Sequence, residues 1–60
     1  MTLTEMRALR KLISEAIAAT EKARFAAADT IAEADITHAL EELERALSET
    51  ETAIREREVK

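Results

Sequence analysis

Ala27-Ala28-Asp29-Thr30-Ile31-Ala32-Glu33-Ala34-Asp35-Ile36 decides the fold, because the apolar patterns on its two sides are out of phase. Upstream, Met6, Leu9, Ile13, Ala16, Thr20, Ala23 and Ala27 recur in alternating steps of three and four. Downstream, Ile36, Leu40, Leu43, Leu47, Thr50 and Ile54 do the same. The stretch from Ala27 to Ile36 turns through about two and a half helical turns at roughly 100° per residue. One continuous helix would therefore carry the two stripes on opposite faces, whereas a chain that folds back lets them meet. The competing reading, a single helix of about 90 Å with a partner on each stripe, follows if the chain does not turn.

Local signals agree with a turn. Thr2 and Glu5 have the spacing of a capping box, and Thr30 and Glu33 repeat it. Asp29 is a residue type that tolerates the left-handed conformation of a helix stop. Asp29 and Glu33 would also repel four residues apart in an uninterrupted helix. The expected elements are helix 1 over about 3–28, a turn over about 29–31 and helix 2 over about 31–57, in one domain spanning 1–60. Glu41–Arg45 and Glu51–Arg55 are expected as ion pairs along helix 2, and the tail Glu58-Val59-Lys60 is expected to fray.

Composition limits the alternatives. The 60 residues contain 13 alanines, one aromatic (Phe25), one His and no Gly, Pro or Cys. Helix formers dominate, and the residues that make phosphate-cradling loops or tight hairpin turns are missing. The fold class expected is all-α, an antiparallel hairpin of two long helices. No disulfide or thiolate metal site can staple so short a chain, which leaves oligomerisation as the remaining support.

Folding near residue 30 sets Leu9 beside Ile54, Ala16 beside Leu47, Ala23 beside Leu40 and Ala27 beside Ile36, small residues against large. Apolar files flank both stripes: Leu12, Ala19 and Ala26 on one side of helix 1, Leu3, Ile17 and Ile31 on the other, and Ala39, Ala46 and Ala53 along helix 2. This width predicts a second layer, hence a homodimeric four-helix bundle. Alternatively, the flanking alanines are helix formers on a solvated surface. Residues 19–46 hold three basic and seven acidic side chains, and the remainder six of each. That asymmetry favours a dimer with its loop ends apart.

Chemistry is sparse. Asp35, His38, Glu41 and Glu42 have a spacing seen in metal-binding bundles, but Ile36 and Leu40 point inward, so Asp35, His38 and Glu42 fall on the outer face. Glu41/Glu42 and Glu49/Glu51 lack a pocket that could shift a carboxyl pKa, and Ser14 and Ser48 lack a His partner. The expectation is a non-enzyme with no catalytic residue, metal or cofactor. Net charge is −4, which disfavours generic nucleic-acid binding. The chain has no apolar run long enough to span a membrane and no secretory leader pattern, so a soluble, cytoplasmic protein is expected.

Phe25 occupies the position farthest from the helix 1 stripe. It reads as an anchor for another protein, with Arg24 and Lys22 beside it, or as a residue covered by a rotated helix or by a dimer partner. Thr20 and Thr50 sit on the stripes, where their hydroxyls can bond to the preceding turn. Arg7, Arg10 and Lys11 with Arg55, Arg57 and Lys60 gather at the terminal end, interleaved with glutamates.

The start Met1, Thr2, Glu5, Ala8, Leu9 and the segment Ala34-Asp35-Ile36 leading to Leu40 resemble the Rop-type plasmid proteins, dimers of helical hairpins that bind paired RNA loops. That resemblance implies an RNA-binding regulator acting through Arg7, Arg10 and Lys11 of helix 1. Hairpin co-chaperones of secretion systems are similar in size. The residues themselves point to a small interaction module, an adaptor, co-chaperone or inhibitor, that pairs with itself and binds another protein.

Overall fold

Thr2 opens the first helix with a complete capping box. Its hydroxyl accepts from the Glu5 backbone N–H at 3.1 Å, and the Glu5 carboxylate accepts from the Thr2 N–H at 2.8 Å. Two of the donors that a helix start leaves orphaned are thereby satisfied. The Thr2 backbone N–H, and then its side chain, hold the Glu5 carboxyl below its ordinary pKa. Because the folded-state value is depressed, the cap contributes stability above the unfolded-state pKa and loses it as pH falls through the lower, folded one. In an NMR acid titration, the Thr2 amide should shift with a midpoint below the ordinary glutamate value. A midpoint at the ordinary glutamate value would show the box open in solution.

The computed structural model describes residues 1–59. It consists of α1 (Leu3–Ala26) and α2 (Glu33–Glu58), packed against each other as an antiparallel hairpin. Helices of 24 and 26 residues are about 36 and 39 Å long at 1.5 Å per residue. The longest dimension is 47 Å, so the single long helix is excluded. Lys60, the last residue of the expected frayed tail, lies outside the described residues.

The turn departs from the expected one in length and in bonding. α1 ends two residues early and α2 starts two late, so six residues, 27–32, make the connection. Asp29 has φ 68°, the left-handed stop that its residue type allows. Thr30 and Glu33 do not form the expected capping box. The Thr30 hydroxyl donates backward to the Ala27 carbonyl at 2.6 Å, and the Glu33 carboxylate accepts from the Asp29 N–H at 2.9 Å. The reversal at Asp29 leaves Thr30 inside the turn, where its backbone N–H and its hydroxyl both donate to the carbonyl of Ala27, the residue that caps α1. The first residue before α2 is then Ala32, which supplies no side-chain cap.

The expected stripes do face each other, with corrections at their edges. Among the described residues Leu40 and Ile54 are the buried ones, at 4% and 2% exposure. Met6, Leu9, Ile13, Ala16, Thr20 and Ala27 on α1's side, and Ile36, Leu43, Leu47 and Thr50 on α2, are half-buried. Ala23, the last stripe residue inside α1, is exposed, while Leu40, which the stripes set beside it, is buried. Near the termini the alignment is the expected one: Met6 shares a recess with Arg57, and Arg7 pairs with Glu58 at 2.7 Å.

The expected ion pairs along α2 are replaced. Arg45 lies 3.7 Å from Glu42, one position nearer than Glu41, and Arg55 donates to the Thr52 hydroxyl at 3.2 Å instead of meeting Glu51. Spacings of three and four are both within reach on a helix surface and differ by tenths of a kcal/mol. The Thr20 and Thr50 hydroxyls donate to the Ala16 and Ala46 carbonyls, both at 2.7 Å, so neither stripe carries an unpaired hydroxyl.

Candidate functional site

The flanking files separate into covered and open ones. Leu3 and Ile17 are half-buried beside α2, and Ala46 and Ala53 are half-buried beside α1. Leu12 is 63% exposed, and Ala19, Ala26 and Ala39 are exposed as well. Helix rotation thus tucks one flank of α1 under α2 and leaves the other open. Ile31, placed by heptad spacing in the covered file, is 99% exposed because α1 stops before reaching it.

Phe25 stands 88% exposed on the outward face of α1, one residue before the helix ends. Arg24 and Lys22 are exposed on the same last turns. Arg24 is also the basic residue in α1's final turn, where it complements the partial negative charge of the helix end. Ile31 adds a second fully exposed apolar side chain to the loop end. Heptad arithmetic misses it; the signal that finds it is its place two residues after the Asp29 stop.

At the other end of the hairpin, the basic residues are interleaved with acids. Arg7 is engaged with Glu58 across the two helices, an exposed pair of the kind that contributes about 0–1 kcal/mol. Arg10 is half-buried and Lys11 exposed on α1, and Arg55 and Arg57 are exposed on α2. An open recess of about 290 Å³ lies there, lined by Met6, Ala53, Glu56 and Arg57. Its two charged residues are of opposite sign and exposed.

Asp35, His38, Glu41 and Glu42 are exposed on the outer surface of α2, and Ser14 and Ser48 are exposed too. Among the described residues no group of three His, Cys, Asp or Glu side chains converges as a metal site would require, and none of their helices is long and apolar enough to cross a membrane. The fold defines a class, the all-α helical hairpin. Compared with family models, with curated proteins and with solved structures, the chain matches none of them.

Proposed function

We propose that this chain is a small non-enzymatic interaction module that works in the cytoplasm as a helical-hairpin homodimer and binds another protein. The observation that carries this reading is Phe25, a lone aromatic held 88% in water on a rigid helix. Aromatic and Arg residues dominate protein-binding hot spots, and Phe25 has Arg24 and Lys22 on the neighbouring turns. Helix-face recognition of this kind suits an adaptor, a co-chaperone or a small inhibitor.

Phe25→Ala should leave the thermal midpoint within about 2 °C of the parent, since an exposed side chain contributes little to folding. The same substitution should abolish capture of the protein partner from host extract by the immobilised chain. A large drop in the midpoint would place Phe25 in a packed interface, and equal capture by both forms would remove it from the binding surface.

The rival is an RNA-binding regulator using Arg7, Arg10 and Lys11. Titration with structured RNA at two salt concentrations separates the two readings, because phosphate contacts impose a steep salt dependence. Tight, salt-sensitive binding would favour the rival. The engagement of Arg7 by Glu58 and the interleaved glutamates support the protein-binding reading.

A further inference from the structure

The hairpin leaves more surface in water than its mass requires. Its accessible surface is 4635 Å², against about 3,900 Å² for a compact monomer of 6.7 kDa. The difference, about 700 Å², is close to the roughly 800 Å² that each partner contributes to a standard protein–protein interface. The two sides of the helix–helix seam differ in what they offer. Along one side run Leu3, Arg10, Ile17 and Arg24 of α1 with Thr37, Glu44, Glu51 and Glu58 of α2. That side is charged along its length. Along the other run Leu12, Ala19 and Ala26 with Ala53, Ala46 and Ala39, apolar in every member.

In the antiparallel register these six residues form three layers: Leu12 with Ala53, Ala19 with Ala46, and Ala26 with Ala39. Ala19 and Ala46 are each the middle of their own file and lie at the same level of the hairpin. A two-fold axis lying in the plane of this face, at right angles to the helices and level with Ala19 and Ala46, sets the Leu12 layer of one copy against the Ala26–Ala39 layer of the other. The larger side chain then meets the two smallest surfaces, and alanines let the helices approach closely. A dimer with both loops at one end would set Leu12 at the level of Leu12 instead.

Charge favours the same arrangement. Around an axis at Ala19, Glu15 of one α1 comes level with Lys22 of the other, twice by symmetry. The acid-rich half, residues 19–46, also meets the half in which acids and bases balance. Asp35, Glu42, Glu49 and Glu56 oppose it as a like-charged row on the rim of α2, an exposed repulsion that salt screens.

We infer that the occupant of this face is a second copy of the chain, docked head to tail about a two-fold axis that crosses both helices at the level of Ala19 and Ala46. The inference rests on the homodimer of the proposed function and adds the face, the axis and the orientation. The absence of Cys from the chain makes the test direct. Single variants Ala19→Cys and Ala46→Cys are oxidised at physiological salt and compared with Arg24→Cys and Glu44→Cys on the charged side, while sedimentation equilibrium gives the mass of the parent chain. A disulfide needs Cα atoms about 4.4–6.8 Å apart, so the two on-axis variants should yield covalent dimers and the two controls should not. Ala19→Glu, at a position exposed in the single hairpin, should keep its helicity while its dimer dissociation constant rises at least tenfold.

A parent that stays monomeric would overturn both the proposed dimer and this interface. A parent of dimer mass that cross-links best at Arg24→Cys or Glu44→Cys would overturn the interface and leave the dimer standing. Cross-linking only in a mixture of Ala19→Cys with Ala46→Cys would reject the head-to-tail orientation in favour of loops at one end. An unchanged dissociation constant for Ala19→Glu would also overturn the inference.

Discussion

Ile54→Ala should destabilise the hairpin by about 2–5 kcal/mol, the usual cost of truncating a buried aliphatic side chain. Ile54 is the most enclosed residue, at 2% exposure, and Leu40 at 4% is its counterpart toward the loop. A chain of this length has a total stability of about 3–9 kcal/mol on the per-residue scale, so either truncation removes a large part of it. The reason is the thinness of the core. Among the described residues two are buried, and the rest of both stripes, apart from the exposed Ala23, is half-covered, so the neighbours have few other contacts with which to compensate. Urea unfolding followed by circular dichroism measures the effect, with Val59→Ala as the control. Val59 is exposed near the terminus and its truncation should cost less than about 0.5 kcal/mol. Equal, small losses for Ile54→Ala and Val59→Ala would mean that the helices do not pack along these stripes.

Substitutions at Asp29 should move stability in opposite directions through one backbone torsion. Asp29 has φ 68°, a conformation that costs a side chain with a Cβ about 1–2 kcal/mol. Asp29→Gly removes that cost and should stabilise the hairpin by up to about 1 kcal/mol, the gain being limited by the greater freedom glycine has when unfolded. Asp29→Val makes the conformation worse and should cost about 1–2 kcal/mol, or roughly 8–16 °C in the thermal midpoint. Both variants keep the backbone N–H that donates to the Glu33 carboxylate, so the contrast reads the torsion alone. Equal midpoints for the Gly and Val variants would show that the chain does not reverse through a left-handed residue at this position.

Much of the architecture was legible because it rests on periodicity. The phase change between Ala27 and Ile36 implies a reversal whatever the turn looks like, and Asp29 was the one residue in the stretch whose chemistry suits the stop. The bonding inside the turn was not legible. Thr30 could serve α2 as an N-cap or donate back to the Ala27 carbonyl at the end of α1, and both uses are local and similar in energy. The choice followed from where Asp29 reversed the chain. The pairing of Arg45 with Glu42 rather than Glu41 has the same origin, since two partners on one surface differ by less than the energy of a side-chain rotamer.

The candidate interaction residues divide in the same way. Phe25 could be placed on the outward face of α1 from its heptad position, and there it stands. Ile31 could not, because its exposure depends on α1 stopping before it. Arg7 looked like part of a basic cluster until the two helices brought Glu58 within 2.7 Å.

The order of apolar residues along the chain by itself determined two helices, a reversal near residue 29 and the faces that meet, since a helix of fixed pitch converts spacing into direction. Only the tertiary structure decided which flank of each stripe is covered. Leu3 and Ile17 on one side and Leu12, Ala19 and Ala26 on the other are all apolar and flank the same stripe. The rotation of each helix about its own axis, set by how the side chains of α1 and α2 interlock, buries the first group and leaves the second in water.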